Sequence, residues 1–459
     1  MALNAQNISG KKVGIVICNY NKAEYVVNCI QSVLESSMDD FDIYVIDNAS
    51  SDDSAKRITE KFKERVTLII NPENLGGSGG FNTGIRIVMN GGYKYVWCLD
   101  NDVLVDENAL KALVDFLDSH PESGMAGSRV VHMNNPEYIQ QYGMTVNFKD
   151  YCVSANYLNE YNDDKLIPPV VYSDAVAACS VLVRTDVIAK IGMLPEENFL
   201  YWDDTEWGIR CNNAGYKVAS VGASLVEHEM GAKKEAVNTF ATYYAWRNEI
   251  LFFLQHEPYD RLDDMAHTFI HAVFDIVYEG LYNGEHNKTK TVMFAYDDAL
   301  HGITGKADDS KIFDLDKGEN IRLNALAKSS DTFEIKVNGF EALACETAEK
   351  IKKINPSCSF YIDGLSGNIP PETADLFESG ADSTNKANRN TSNVKKISLC
   401  ENIFHVDDTS LRSSYIDVNG NVFSSEDDAM MIINYNYSFR TFYESQKDLF
   451  LSFAKKIRK

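Results

Sequence analysis

Within the first hundred residues, short apolar runs alternate with stretches of helical periodicity, and each run ends in a polar cluster. Val13–Cys18 is the first run, closed by Asn19-Tyr20-Asn21. From Lys22 to Ser36, apolar residues fall at Tyr25, Val26, Cys29, Ile30, Val33 and Leu34, the spacing of one helix face. Phe41–Ile46 is a second run, ending in Asp47-Asn48-Ala49-Ser50-Ser51-Asp52, a strong helix-capping cluster before a helix over 53–62. A strand over 65–70, a Gly-rich turn, a helix over 80–90 and a strand over 93–99 complete the pattern. Repeated β-α-β units of this kind fold as a mostly parallel α/β sheet with helices on both faces. Ligands of such sheets bind at the carboxyl ends of the strands. Asn19, Asp47, Asn71-Pro72-Glu73-Asn74 and Asp100 all fall there.

Beyond residue 100 the pattern predicts a helix over 107–120, an apolar strand over 175–184, and a helix near 205–217 ended by Gly215. Residues 237–285 read as helical and aromatic. After about 306 the composition shifts: 307–330 is charged and poor in large apolar groups, and 333–337, 340–353 and 358–362 suggest a small β-α-β unit. Residues 380–396 are polar and low in complexity, as expected of a flexible connector, and 426–459 reads as helix. A chain of 459 residues exceeds one core. The expected division is 1–236, 237–306, and an α+β region over 307–459.

Composition narrows the partners. Asp and Glu number 67 against 44 Lys and Arg, a net charge of −23, which argues against nucleic acid. A small-molecule enzyme fits, and any phosphate it binds needs a metal or local cations to offset that background. The nine cysteines lack CxxC or zinc spacing and read as reduced thiols of a cytoplasmic chain. Met1–Gly10 has no signal-peptide pattern, and no apolar stretch of about 18 residues spans a membrane. The final residues, Leu449 to Lys459, read first as a helix whose cations suit its dipole, and second as a peripheral contact with the inner face of an anionic membrane.

Three constellations carry chemistry. Asp100-Asn101-Asp102 places two carboxylates at a strand end, suited to an oxygen-ligated divalent ion that also holds phosphates; the plain alternative is a helix cap. Asn74-Leu75-Gly76-Gly77-Ser78-Gly79-Gly80 offers backbone amides to a nucleotide or diphosphate, or is simply a tight turn. Trp202-Asp203-Asp204-Thr205-Glu206-Trp207 sets aromatics around paired carboxylates, a sugar-stacking surface beside a base, although Asp203 alone reads equally as a cap. His228, between Glu227 and Glu229, is either structural or a ligand.

Taken in order, Val16-Ile-Cys-Asn-Tyr-Asn21, Asp47-Asn48-x-Ser50-x-Asp52, Asn74-x-Gly76-Gly77, Asp100-x-Asp102, Trp202-Asp203-Asp204, Gly215-Tyr216, His228 and Tyr243-Tyr244-x-x-Arg247-Asn248 resemble glycosyltransferase family 2 over roughly residues 11–306. The Trp-Asp-Asp-x-x-Trp-Gly-x-Arg form is similar to that of galactofuranosyltransferases; the Tyr-Tyr-x-x-Arg-Asn element also occurs in related rhamnosyltransferases. The resemblance implies a GT-A nucleotide-diphospho-sugar transferase fold over 1–236, with 237–306 completing the donor site. It implies an inverting transfer of a sugar, UDP-galactofuranose first and dTDP-rhamnose second, to a hydroxyl of a glycan or lipid-linked acceptor. Asn19, Asn21, Asp47, Asn74, Gly76, Gly77, Asp100, Asn101 and Arg247 would bind the donor, Arg247 at its diphosphate. Asp102 and His228 would ligate Mn²⁺ or Mg²⁺, Asp204 would be the general base, and Trp202, Asp203 and Trp207 would meet the acceptor. A non-catalytic sugar-binding scaffold is the rival, against which all the acidic positions are filled. Homo-oligomerisation and the role of 307–459 are left open.

Overall fold

The computed structural model describes residues 10–229, 237–257, 259–316, 318, 320–363, 376–377 and 394–457. The expected connector at 380–396 lies outside the described residues, apart from 394–396. The chain divides into two compact units: residues 1–269, 291–314 and 450–459 form the first, and 270–290 with 315–449 the second. The helical stretch expected as a separate extension is thus shared between them, and neither expected boundary coincides with this division.

The first unit opens with β1 (Val13–Asn19), α1 (Ala23–Leu34), β2 (Phe41–Asp47), α2 (Ser54–Phe62), β3 (Thr67–Ile70), α3 (Gly76–Asn90) and β4 (Tyr95–Asp100). There follow β5 (Val103–Val105), α4 (Ala109–Ser119), β6 (Ser123–His132), β7 (Asn135–Gln141), β8 (Met144–Asn147), β9 (Cys152–Ala155), β10 (Val170–Ser173) and β11 (Ser180–Arg184). It continues through α5 (Thr185–Ile191), α6 (Asp203–Asn213), β12 (Lys217–His228) and α7 (Phe240–His256); α8 (Leu262–Asn283) and α9 (His286–His301) straddle the division, their residues 270–290 belonging to the second unit. Strand order in the main sheet is β10-β12-β6-β11-β4-β1-β2-β3, with β5 on β12 and β7 on β6. The run β4-β1-β2-β3 is parallel, as is β12 with β6, while β11 lies antiparallel between β4 and β6.

Alternation along the strands feeds two layers. Val13, Ile15 and Ile17 pack with Val26, Cys29, Ile30 and Val33 of α1 on one face. Val16 packs with Phe81, Ile85 and Val88 of α3 on the other. Each such aliphatic side chain contributes about 1.5–3 kcal/mol when fully buried. The Gly-rich segment differs from its expected form. It is the first turn of α3 rather than a turn before it, because α3 lies hard against β1. A Cβ at Gly80 would sit 2.4 Å from the Cys18 sulfur, and one at Gly84 2.3 Å from Val16. The strand expected from 175 starts at Ser180; the preceding residues bend away and reach Asp204, described below.

In the second unit, α10 (Ile321–Lys328), β13 (Thr332–Lys336), α11 (Glu341–Ile354), β14 (Ser359–Asp363), β15 (Lys395–Cys400), β16 (Ser414–Asp417), β17 (Val422–Phe423) and α12 (Glu426–Ile457) follow in sequence, α12 giving its last turns to the first unit. The sheet order is β14-β13-β15-β16-β17, parallel except for β17. The expected β-α-β unit is β13-α11-β14, closed over Phe333, Ile335, Ala348, Ile351 and Phe360. Near the C-terminus, Phe450 and Ala454 are buried, with Phe450 stacked on Tyr296 in the first unit. No helix among the described residues is long and apolar enough to cross a membrane.

Candidate active site

The strand register sets the carboxyl-end rim. Asn19 pairs with Asp47 across β1 and β2, and Cys18 with Asp100 across β1 and β4. Along this edge Asn101 Nδ2 donates to Asn19 Oδ1 at 2.8 Å, and Asn19 Nδ2 donates to Asp47 Oδ2 at 3.1 Å. Asn19, Asp47 and Asn101 are therefore one buried chain of side chains. Asn21 adopts a left-handed backbone, and its Oδ1 accepts from Ser51 N at 2.7 Å, fastening the first loop to the second. Asn48, overlooked as a site residue in the sequence, is buried between Asn71, Asn74 and Gly76 and bonds all three.

Asn74, Gly76 and Gly77, expected to bind the donor nucleotide, also hold the local backbone together. Asn74 Oδ1 accepts from Gly76 N at 2.8 Å, and Gly77 N donates to Phe199 O at 2.7 Å. Gly76 has φ +75, and a Cβ there would lie 2.1 Å from Phe199 O. Glycine is needed here for close approach of two backbones, and both amides are already engaged.

At the end of β4, Asp100, Asp102 and His228 each place a ligand atom within 4.8 Å of the others. His228 ends β12, and its Nε2 lies 3.5 Å from Asp102 Oδ1 and 3.8 Å from Asp100 Oδ2. Two hard oxygen donors and one imidazole nitrogen on separate elements fit a divalent cation such as Mn²⁺ or Mg²⁺. The Lys22 ammonium, at the start of α1, also pairs with Asp102; sequence reading counted Lys22 only as the start of that helix. Burial, then the Asp102 charge, raises the Asp100 carboxyl above the ordinary range. Burial pushes Asp102 the same way, but hydrogen bonding from His228 and the charge of Lys22 bring it below that range. Burial alone would lower His228; its two carboxylate neighbours reverse the sign and raise it.

The second carboxylate pair opens α6. Phe199, Tyr201 and Trp202 all have φ near +64, and Trp202 is the residue that caps the helix. Such non-glycine conformations cost about 1–3 kcal/mol each and persist only where the surroundings enforce them. Arg247 and Asn248 do so here. Arg247 Nη2 donates to Asn198 O at 2.9 Å and Nη1 to Gly305 O at 2.7 Å; Asn248 Nδ2 donates to Asn198 O at 2.9 Å and Leu200 O at 2.7 Å. The expected contact of Arg247 with a diphosphate is thus corrected: its guanidinium is fully buried and occupied by Gly305 O, by the Asn248 side chain and by carbonyl oxygens of the loop that leads to Trp202 and Asp203.

Ser78 Oγ donates to Asp203 Oδ2 at 2.8 Å, tying α3 to α6. Asp204 Oδ1 accepts from Thr205 N at 2.7 Å, and Oδ2 accepts from Ala178 N at 3.4 Å. The bend before β11 delivers that Ala178 amide. Burial, reinforced by the Asp203 charge, pushes the Asp204 carboxyl up to about 7. Trp202 packs on Phe252, ring centroids 5.1 Å apart, and stays partly exposed. Trp207 is 1% exposed in the core between the sheet and α5, with Nε1 donating to Gly192 O at 2.9 Å. Its expected acceptor contact is corrected accordingly: one helical turn beyond Asp203, the same face points inward.

Residues 14–181 match the family model for glycosyl transferase family 2. The chain carries a domain of that family. Its sheet is of the GT-A kind, mixed α/β and mostly parallel around β1. The family 2 match ends before Trp202 and His228, so those residues join the site through the fold. Over 219 residues the chain is 20% identical to galactofuranosyltransferase GlfT2 of Mycolicibacterium smegmatis, covering 44% of this chain and 33% of that protein. Over 120 residues it is 29% identical to poly-beta-1,6-N-acetyl-D-glucosamine synthase of Staphylococcus epidermidis, covering 26% of this chain and 28% of that protein. The chain thus spans a third or less of the length of these two relatives. Among solved structures, GalNAc-T7 with UDP, GalNAc and Mn²⁺ aligns at TM-score 0.44 and 13% identity, covering 56% of this chain and 51% of that one.

Proposed function

We propose that the chain transfers a sugar, with inversion, from a nucleotide-diphosphate donor to an acceptor hydroxyl, with Mn²⁺ or Mg²⁺ as cofactor. The observation that carries this reading is the Asp100–Asp102–His228 cluster on the same rim as Asn19 and Asp47. Asp100, Asp102 and His228 would hold a divalent cation there, which would supply Lewis acidity toward the donor diphosphate. Asn19, Asp47 and Asn101 offer a polar edge for the base and ribose.

Asp204 takes the proton of the acceptor hydroxyl. The acceptor oxygen then forms its bond to the anomeric carbon as the bond to the diphosphate oxygen breaks, and the nucleoside diphosphate leaves. A carboxylate raised to about 7 suits this work, since a base matched to the working pH transfers protons most effectively. Trp202, braced by Phe252, presents an aromatic face to a sugar ring, and Asp203 lies beside it.

UDP-galactofuranose is the first-choice donor, supported by the Trp202-Asp203-Asp204 form and by the likeness to GlfT2; dTDP-rhamnose is second. The acceptor is a glycan or a lipid-linked sugar. Burial of Phe450 and Ala454 supports reading the C-terminal helix first as a packed helix ending in cations, with a peripheral membrane contact second. The test is a donor panel with purified protein and Mn²⁺, with and without glycan acceptors. Release of nucleoside diphosphate from one donor, abolished by EDTA, is expected. Turnover undiminished in EDTA contradicts the metal's part, and no turnover with any sugar nucleotide contradicts the activity.

A further inference from the structure

We infer that Gln140 is a positioning residue for the cation site: it fixes which nitrogen of His228 faces the carboxylates. Across β6 and β7, Val130 pairs with Gln141 and Val131 with Ile139, so Gln140 is an extra residue on β7, a β-bulge. Bulges turn a side chain out of its ordinary alternation and are frequent beside active sites. This one turns Gln140, 6% exposed, toward the end of β12, where His228 lies beside His132 in register.

The contacts settle the polarity. Gln140 Nε2 donates to the backbone carbonyl of His228 at 3.3 Å. A carbonyl only accepts, so the amide nitrogen must face it, and Gln140 Oε1 must face the imidazole. That oxygen lies 2.6 Å from His228 Nδ1. An amide oxygen only accepts, so Nδ1 carries a proton. Nε2 is then the nitrogen turned to Asp100 and Asp102, and its lone pair is the one a cation takes. Two longer contacts continue the same sense outward. Gln140 Nε2 lies 3.5 Å from His132 Nδ1, and His132 Nε2 lies 3.3 Å from Asn159 Oδ1. A proton on His132 Nε2, with Nδ1 accepting, satisfies both. The chain Asn159–His132–Gln140–His228 therefore runs in one direction and ends at the ligand nitrogen.

This rests on the metal reading of the Asp100–Asp102–His228 cluster, and the experiment separates the two. Mn²⁺ affinity is read by electron paramagnetic resonance on the full chain, for wild type, Gln140→Met, Gln140→Glu, His228→Ala and the double variant Gln140→Glu/His228→Ala. Thermal melts confirm that each is folded. Gln140→Met removes the acceptor at similar size, and Mn²⁺ affinity should fall about 10- to 100-fold, the usual loss on removing an outer-shell partner. Gln140→Glu keeps the acceptor and removes the donor to the carbonyl. It should restore affinity to at least the wild-type level, and that advantage should vanish with His228 removed. If Gln140→Met binds Mn²⁺ like wild type, or if Gln140→Glu strengthens binding equally without His228, the positioning role fails while the cation site stands. If wild type and His228→Ala bind Mn²⁺ alike, the cation site itself fails.

Discussion

Both units are α/β, with a run of parallel strands and with acidic residues at strand ends and helix starts, yet the two sets of acids have different circumstances. In the second unit Asp417, the last residue of β16, is fully buried. It accepts from the amides of Ile403, Asn419 and Asn421 and from the Asn421 side chain. Asp428 is spent in the same way on Ser424 N, Ser425 N and Arg322. In the first unit each acid lies beside another carboxylate: Asp100 beside Asp102 with the His228 imidazole between them and solvent-side Lys22 on Asp102, and Asp204 beside Asp203 although it also accepts from the amides of Thr205 and Ala178. A carboxylate at a strand end is thus not a site in itself. What sets the first-unit acids apart is the second carboxylate beside each of them, where Asp417 and Asp428 meet mainly donors.

The contrast breaks most directly at Asp204. Replacement with Asn should lower transfer by about 10²- to 10⁴-fold while nucleotide binding, measured by calorimetry, survives. Retained turnover would remove the base assignment. In wild type the rate should rise with pH through about 7, as Asp204 ionises. Stability should move oppositely. A carboxyl raised in the folded chain contributes stability that is present at low pH and lost as pH rises through about 7, so Asp204→Asn should gain on wild type in thermal melts at pH 8 relative to pH 5.

Asp417→Ala is the converse experiment. It leaves several buried donors without their acceptor, and unfolding free energy should fall by about 2–3 kcal/mol in denaturant titrations. Mn²⁺ binding should not change. A loss of Mn²⁺ affinity without a loss of stability would show that the comparison is drawn in the wrong place. The smallest effect is expected at Trp207. Its core position and single bond to Gly192 O predict that Trp207→Phe costs about 1 kcal/mol and leaves the acceptor KM unchanged.

Much of the frame is legible in residue pattern because it depends on local rules. The runs that became β1, β2 and β4 are apolar but for Asp42 in β2, and Asn19, Asp47 and Asp100 mark their ends. The glycines at 76–80 misled for a physical reason. Glycine signals a turn in sequence, whereas here it permits a helix to lie against β1 and a loop to cross Gly76. Arg247 misled because an arginine in a motif suggests an anion, while this one is enclosed among carbonyls contributed by residues about fifty positions away. Gln140 had no signal at all. Its role comes from a register slip between β6 and β7 and from the arrival of β12, neither of which leaves a local trace.

The claim at the centre is that His228 and the β4 carboxylates hold a cation that also meets the donor diphosphate. Pulsed electron paramagnetic resonance of Mn²⁺ bound together with UDP reads both at once. A ¹⁴N coupling that disappears in His228→Ala, alongside a ³¹P coupling from UDP, is the predicted spectrum. Bound Mn²⁺ showing phosphorus but an unaltered nitrogen signal in His228→Ala, or UDP bound equally well in EDTA with no manganese retained, would contradict it.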